Sequence, residues 1–380
     1  LDEITSMFFY GRYMILGMGL FSMFTGLVYN DVFSRSMHLF RSGWTWPRGT
    51  GTLTAEPTGH TYALGLDPSW HGADNALVFT NSFKMKLSIV LGVVHMTFAL
   101  LLNVPNHIHF QRRLFIWAEL VPQLLFLEAL FGYLVITIVY KWSVDWYALD
   151  AHGAPLHNAP PGLLNMLIYM FLQPGQVAPE QQLYRGQATV QTLLLLVALV
   201  CVPWMLVAKP YFLYREHKER EGAGYHAVGS ARGEERVRDV DAAEQELADE
   251  FLEEDADGEA FELGEVVIHQ VIHTIEFCLG CVSNTASYLR LWALSLAHAQ
   301  LSQVLWDMTI RPVFGMTGVA GVAATVVAFA LWFVLTIGIL CVMEGLSAFL
   351  HALRLHWVEG GSKHYMADGV PFEPLSLAAP

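Results

Sequence analysis

Residues 287–300 read SYLRLWALSLAHAQ and lie inside a long apolar region near the C-terminal end of the chain. This run places Arg290 where hydrocarbon would surround a membrane helix. An arginine at the centre of such a helix costs about 2.5–3.5 kcal/mol on an insertion scale, and its guanidinium stays protonated. Arg290 is therefore expected to face a carboxylate or a water-filled path, which makes it a candidate functional residue.

The composition of the whole chain agrees with a membrane environment. Its 380 residues are 54% hydrophobic and only 15% charged, and its mean hydropathy is +0.40. Soluble domains contain on average about 25% charged residues. We therefore predict an all-α, multi-pass transmembrane protein with two long tilted helices at the C-terminal end.

The net charge of −14 comes mostly from one segment, because most of the acidic residues lie between Glu216 and Glu265. That segment has few large apolar residues, so we predict an acidic, solvated linker at 215–263. The basic residues form no stripe, which excludes nucleic acid as a partner.

The cysteines and histidines indicate no cofactor and no metal. The four cysteines lie in apolar segments, so we predict small core residues, and Cys278 and Cys281 have no second ligand pair nearby. The sixteen histidines raise haem binding as an alternative, but they cluster at helix ends and in loops. A colourless purified protein would eliminate that alternative.

About 20 apolar residues in a helix cross a hydrocarbon core of about 30 Å. A hydropathy window of about that length finds six candidate spans. They cover approximately residues 12–33, 86–104, 114–139, 188–208, 264–310 and 318–356. Nearly fifty helical residues would extend about 70 Å, so the fifth span must tilt steeply, bend, or begin in the cytosol. The apolar piece 163–172 is too short to span and is predicted to be re-entrant or interfacial.

Short basic loops set the predicted orientation. Arg112 and Arg113 lie between the second and third spans, and further basic residues follow the fourth. These sides should be cytosolic, because short cytosolic loops carry an excess of Lys and Arg. The loops 34–85 and 143–187 then face the opposite, luminal compartment.

The fifth span carries a row of polar residues. Positions seven apart stay nearly on one face of a straight helix, so Glu276, Ser283 and Arg290 share a face. His298 follows eight residues beyond Arg290. Because this helix is predicted to run outward, Glu276 lies on the cytosolic side of Arg290 and His298 on the far side.

The sixth span repeats the arrangement in the opposite direction. Glu344, Ser347, His351 and Arg354 are spaced by three, four and three residues, which is one helical face. The acid comes before the arginine on the way back to the cytosol. Glu344 is therefore expected in the same outer half as His298.

Together the two rows favour a proton route. Two arginines would occupy the middle, with titratable groups leading to them from each side, and chains of acids and histidines are typical of membrane proton relays. The predicted organisation is membrane helices and two luminal loops at 1–214, the linker at 215–263, a helix pair forming the proton path at 264–358, and a cytosolic tail at 359–380.

Each of these residues also has a structural alternative. Arg354 could extend to the cytosolic interface, and His298 could hold helices together by a hydrogen bond. Glu276 could lie at the headgroup level, and Arg290 could belong to an internal ion pair. Four other intramembrane polar residues are predicted to stabilise packing or to lie near interfaces: His95, Asn103, Glu119 and Glu128.

Several further motifs point to one family. They are GRYM at 11–14, GLVYND at 26–31, NSFKMK at 81–86, GYL at 132–134, YKW at 140–142, CVPW at 201–204, HQVIHTIEFC at 269–278 and EGLSAFLHALRLHWVE at 344–359. With 287–300 they resemble subunit a of the vacuolar-type proton-translocating ATPases. The resemblance covers most of the chain, and the last two runs are specific to this family.

The resemblance implies a stator. In the family, subunit a holds two tilted helices against a rotating proteolipid c-ring that carries lipid-buried carboxylates, and ATP hydrolysis on separate soluble subunits turns the ring. Arg290 would match the essential arginine that deprotonates each carboxylate, and Arg354 the second ring-facing arginine. Glu344 and His298 would match the luminal half-channel, and Glu276 the cytosolic one.

The resemblance also implies partners and a location. The partners are the c-ring, other membrane-sector subunits, the soluble ATP-hydrolysing sector and membrane lipid, and the location is the vacuole or another acidic organelle. The linker and the tail would be cytosolic. The family's N-terminal domain and two earlier helices do not precede Leu1, so we expect a part of a longer protein.

Two other functional classes stay open. A stand-alone ion or proton transporter would use the same acids and histidines, but it predicts an inverted repeat that is not found in the sequence. A non-transporting assembly or sorting scaffold would use the arginines to hold partner subunits in place.

Overall fold

The computed structural model describes residues 2–230 and 262–378, apart from 368, 372, 374 and 375. Most of the described residues are helical, which confirms the predicted all-α class. The strands in this part of the chain form two short antiparallel hairpins, both in the connection between the first two long helices. They pair β1 (Asp31–Val32) with β2 (Arg35–Ser36), and β3 (Trp44–Thr45) with β4 (Glu56–Pro57).

The described α-helices are α1 (Glu3–Tyr10), α2 (Arg12–Tyr29), α3 (Ala76–Leu101), α4 (Asn103–His109), α5 (Arg113–Phe115), α6 (Val121–Leu127), α7 (Tyr133–Ser143), α8 (Leu163–Leu172), α9 (Gln187–Ser230), α10 (Leu263–Ser287), α11 (Leu289–Thr309), α12 (Val319–Ile339) and α13 (Gly345–Arg354). Wider π-helical turns occupy Ile116–Leu120, Glu128–Gly132, Leu340–Glu344 and Leu355–Gly361. Tighter 3₁₀ turns occupy Pro68–Trp70, Pro179–Gln181 and Arg311–Gly315.

Six helical stretches among the described residues are long and apolar enough to cross a membrane, as predicted. They are Arg12–Tyr29, Ala76–His109, Arg113–Ser143, Gln187–Glu219, Leu263–Gly315 and Val319–Gly361. The last two contain 53 and 43 residues, which confirms that the C-terminal pair is unusually long. The short apolar piece forms α8.

The ends of two spans differ from the prediction for local reasons. The first span ends at Tyr29 because Asn30 adopts the left-handed conformation, with a φ of 50°, that commonly terminates helices. The fourth span continues as helix to Ser230, past the predicted start of the linker at 215. The rest of the predicted linker, from 231 to 261, lies outside the described residues.

The fifth span is interrupted at Tyr288, between α10 and α11. The Tyr288 amide bonds the carbonyl of Thr285, three residues back, at 3.3 Å, instead of the carbonyl four residues back. The Tyr288 ring also lies against Gly92, where an added Cβ atom would be only 2.6 Å from Cγ of Tyr288. The fifth span therefore consists of two consecutive helices, α10 and α11.

The helices divide into two compact units. One unit comprises Leu1–Val90, Gly132–Leu193 and Leu289–Ala297. Within it, the hydroxyls of Tyr133 and Tyr184 lie 2.8 Å apart. Burial, with this hydrogen bond, raises the pKa of the Tyr184 phenol above its usual range.

The other unit comprises Leu91–Phe131, Leu194–Tyr288 and His298–Pro380. The side chains at its centre are Met96, Leu100, Leu127, Cys201, Met205 and Cys281. The return span is little buried by the described residues, since Gly321 is the one buried residue among those of α12. That span therefore presents apolar side chains on nearly every side.

The four cysteines do not share one environment. Cys201 and Cys281 are buried core residues, as predicted, and Cys278 is half-buried. The prediction is wrong for Cys341, which is exposed because the return span has so few neighbours within its unit.

Candidate functional site

Glu276 and Ser283 lie on the exposed face of α10. The opposite face is buried and is itself polar, since Gln270, Thr274 and Thr285 point into the unit. The Gln270 amide donates to the carbonyl of Met205 at 2.7 Å, and the threonine hydroxyls donate to carbonyls of their own helix. The predicted pair on this helix therefore points away from the core of the chain.

Arg290 lies in the first turn of α11, just after the break, and is half-buried. The interruption at Tyr288 falls between Ser283 and Arg290. Seven-residue spacing keeps residues on one face only in a continuous helix. The predicted row is therefore divided between two helices, with Glu276 and Ser283 on α10 and Arg290 on α11.

His298 and Glu344 come together across the two long spans. The imidazole Nδ1 of His298 lies 3.4 Å from Oε1 of Glu344, and the exposed fractions of the two side chains are 36% and 53%. Nδ1 has no hydrogen-bond partner among the described residues. The chain thus brings an imidazole and a carboxylate, two groups that can carry a proton, to one place.

The remaining residues of the return row lie on the less exposed side of α13. Ser347, His351 and Arg354 are half-buried, whereas their neighbours Leu346 and Phe349 are exposed. Nε of Arg354 is buried and has no hydrogen-bond partner. The Arg354 side chain is therefore enclosed by the chain at this atom.

Every π-helical turn in the described residues contains one glutamate: Glu119, Glu128, Glu344 or Glu359. Such turns are rare in proteins, and those that occur are often found at functional sites. Each of these carboxylates contacts a side chain from another span. In the same order, the partners are His273 and Lys209 for the first, then Thr97, His298 and Tyr288. Sequence reasoning assigned Glu119 and Glu128 only to packing or interfaces. A usable signal was the glycine that follows closely after three of the four, at Gly132, Gly345 and Gly360.

Glu119 is the acid of a three-helix cluster. Its Oε1 lies 3.1 Å from Nε2 of His273 and 3.4 Å from Nζ of Lys209. The Glu119 side chain is only 14% exposed. Lys209 in turn lies over the ring of Phe115, with Nζ 5.3 Å from the ring centroid. A buried carboxylate is stabilised in this way by two basic groups.

Glu359 is the most buried of the four glutamates, with 4% of its surface exposed. The Tyr288 hydroxyl donates a hydrogen bond to its Oε1, and Nδ1 of His95 lies 3.4 Å from the same hydroxyl. Oε2 is buried without a hydrogen-bond partner. Sequence reasoning placed Glu359 in the cytosolic tail and His95 among packing residues.

The unit that contains Arg290 has a cavity of about 360 Å³ next to the loop that follows the first span. Its lining includes Asp31, Lys84 and Ser295, and Ser295 lies on the same helix as Arg290. The cavity has room for several waters. Among the described residues there is no cluster of three or more side chains suited to hold a metal ion.

The comparisons with known proteins agree on one family. The model of the V-type ATPase 116kDa subunit family matches residues 1–377. The chain is 55% identical over 378 residues to "V-type proton ATPase subunit a" of Schizosaccharomyces pombe, covering 99% of the chain and 43% of that relative. It is 50% identical over 385 residues to the vacuolar isoform of this subunit in Saccharomyces cerevisiae, covering 99% of the chain and 44% of that relative.

A more distant animal relative gives the same result. The chain is 46% identical over 394 residues to "V-type proton ATPase 116 kDa subunit a 1" of Mus musculus, covering 99% of the chain and 46% of that relative. The chain thus spans less than half the length of these relatives. The resemblance noted in the sequence is confirmed, and the chain belongs to the V-type ATPase 116kDa subunit family.

Proposed function

We propose that this chain is the membrane stator of a rotary proton pump of acidic organelles. In this proposal it provides two offset proton half-channels and an essential arginine, Arg290, beside a ring of proteolipid subunits. Rotation of the ring, driven by ATP hydrolysis on other subunits, moves protons from the cytosol to the lumen.

The observation that carries the proposal is the contact between His298 and Glu344. Both lie in apolar spans, where titratable groups are costly and are kept for proton or ion transfer. Their atoms are 3.4 Å apart, and an imidazole beside a carboxylate can hold or release a proton near neutral pH. In the proposal this pair is the luminal half-channel, and Glu276 with Ser283 forms the cytosolic one.

The exposed carboxylates support a partner that covers these helices. Glu276 and Glu344 lie on spans whose neighbouring side chains, such as Leu279 and Leu346, are exposed and apolar. Lipid does not tolerate ionised carboxylates at this depth, whereas a protein partner with a water-filled seam does. A proteolipid ring with one lipid-buried carboxylate per subunit fits this requirement.

Arg290 supplies the charge that separates the two half-channels. A fixed cation lowers the pKa of a carboxylate that approaches it, while lipid raises that pKa again once the carboxylate has moved on. A ring carboxylate therefore releases its proton beside Arg290 and retains a proton elsewhere. Arg354 is assigned as a second cation facing the ring, with Ser347 and His351 beside it on the same helix.

The cavity lined by Asp31 and Ser295 supports a water route on the luminal side. It adjoins the connection between the first two spans, which the positive-inside rule assigns to the lumen. Ser295 is five residues beyond Arg290 on α11. Water in this cavity would link the luminal solution to the middle of the helix.

A double-mutant cycle on His298 and Glu344 tests the proposal. Glu344→Gln and His298→Gln are each expected to slow ATP-driven proton pumping by about a hundredfold, the lower end of what a positioned acid or base contributes. The double variant should be no slower than the worse single variant, because both residues serve one step. Pumping is measured in vesicles that carry the full assembled complex and is normalised to the amount of complex.

The matched control is Glu265→Gln, which removes an exposed carboxylate whose partner among the described residues is His269 on its own helix. Normal pumping by Glu344→Gln, or fully additive losses in the double variant, would refute a shared proton-transfer role.

A further inference from the structure

The cluster around Glu119 is not part of the proton path proposed above. It joins three different spans, since Glu119 lies in the third, Lys209 in the fourth and His273 in the fifth. All three residues belong to one compact unit. The two contacts to Glu119 Oε1, at 3.1 Å from His273 and 3.4 Å from Lys209, define the cluster.

His273 connects this buried acid to the exposed face of α10. Its side chain is 45% exposed, compared with 14% for Glu119. Glu276 follows three residues later on the same uninterrupted helix and is exposed as well. Three residues correspond to about 4.5 Å along the axis and to about 60° around it, so the two side chains are neighbours.

The charges near the cluster come from four elements. Lys209 of α9 and His273 of α10 contact Glu119 directly. His107 of α4 is buried and interacts electrostatically with Glu119, Lys209 and Arg112. Basic groups therefore outnumber the single carboxylate in this cluster.

The cluster lies toward the side that is predicted to be cytosolic. Glu119 follows Arg113 by six residues, or about 9 Å of helix. His273 precedes Glu276 on a helix that is predicted to run outward from the cytosol. A proton that enters from the cytosol would therefore reach His273 before it reaches Glu276.

We propose that His273 is a proton-loading residue that supplies Glu276 and that Glu119 is its positioning residue. The Glu119 carboxylate accepts a hydrogen bond from the Nε2–H of His273, which leaves Nδ1 to exchange protons. Nδ1 takes a proton from cytosolic water, transfers it to the Glu276 carboxylate directly or through one water, and returns to the neutral imidazole. This inference rests on the proposed function, because it needs Glu276 to be the start of a proton path.

A purely structural role for the cluster predicts different behaviour. An ion pair that only holds three spans together would, when removed, reduce assembly or slow pumping to the same extent at every pH. A loading residue matters most when protons are scarce in the cytosol. Near the ordinary histidine pKa of about 6.5 and below it, Glu276 can take protons directly from water, so the loss should disappear.

The experiment measures ATP-driven pumping by the full complex in vesicles whose cytosolic face is outward. The external pH is varied from about 6 to about 8, on either side of the ordinary histidine pKa. His273→Gln is expected to pump at nearly the wild-type rate at the acidic end and several-fold more slowly at the alkaline end. Glu119→Gln, a second variant of the pair, should also pump at nearly the wild-type rate at the acidic end and more slowly at the alkaline end.

Two further variants sharpen the test. Glu128→Gln is the matched control, because Glu128 also lies in a π-helical turn of the third span but contacts the Thr97 hydroxyl and no imidazole in the described structure. Its pH profile should keep the wild-type shape. His273→Ala should regain pumping at alkaline pH when imidazole is added to the medium. If His273 had a purely structural role, added imidazole would not restore pumping.

Losses that are equal at all pH values, or no loss in either variant of the pair, would overturn the inference. Arg290→Ala is measured in the same vesicles to separate the two claims. If Arg290→Ala pumps normally, the proposed function itself fails. If Arg290→Ala is inactive and the pH profiles of the His273 and Glu119 variants are unchanged in shape, only the loading role fails.

Discussion

The Tyr288 hydroxyl donates a hydrogen bond to the carboxylate of Glu359, a residue 71 positions later in the chain. This bond ties the break in the fifth span to the end of the sixth. The carboxylate is almost completely buried, and its other oxygen has no hydrogen-bond partner. Such a group is costly to leave without a donor, so the bond should contribute to the stability of this unit.

Tyr288→Phe should destabilise the protein by about 1–3 kcal/mol, because the ring remains while the buried carboxylate loses its hydroxyl donor. The double variant Tyr288→Phe with Glu359→Leu should regain most of this loss, since both polar groups are then absent. Thermal unfolding of the purified complex measures both effects. Tyr211→Phe, at an exposed position, is the control. An equal loss of stability in Tyr288→Phe and Tyr211→Phe would contradict this account.

Gly92→Ala should destabilise the same unit by about 1–3 kcal/mol, the usual cost of overpacking. The added Cβ would lie 2.6 Å from Cγ and 2.9 Å from Cβ of Tyr288, and Cβ does not move when the side chain rotates. The matched control is Gly17→Ala, where no atom lies within 4 Å of the added Cβ. Thermal unfolding should separate the two variants, and wild-type stability of Gly92→Ala would show that the close approach is not required.

Cys341 should be protected from an apolar maleimide in the assembled complex and should react when the complex is dissociated in detergent. The reason is that its side chain is exposed in the chain alone, close to Glu344, on the span that is proposed to face the ring. Mass spectrometry of the labelled peptides measures the reaction. Cys281, which is fully buried within the chain, should stay unlabelled in both states. Equal labelling of Cys341 in both states would argue against a partner on this face.

The sequence predicted the long apolar helices well because hydropathy and span length are local properties. It also predicted Glu344 in the same outer half as His298, and the two side chains lie 3.4 Å apart. The His273 contact with Glu119 was not predicted, because such pairs depend on how separate spans pack.

The breaks and turns within helices were harder to predict. The interruption at Tyr288 depends on the contact with Gly92 and on a hydrogen bond to a residue near the end of the described chain. The π-helical turns have no strong sequence pattern beyond a nearby glycine. The predicted row of Glu276, Ser283 and Arg290 assumed one straight helix, but the helix is interrupted at Tyr288, between Ser283 and Arg290.

The central claim is that Arg290 drives proton exchange on a rotating partner, and Arg290→Ala tests it most directly. Proton pumping and ATP hydrolysis are measured together in vesicles that carry the assembled complex, with Arg311→Ala as the control because Arg311 is exposed and pairs with Asp307 one turn earlier. The account predicts that Arg290→Ala abolishes pumping while the complex stays assembled and Arg311→Ala pumps normally. Normal pumping by assembled Arg290→Ala complexes would contradict it.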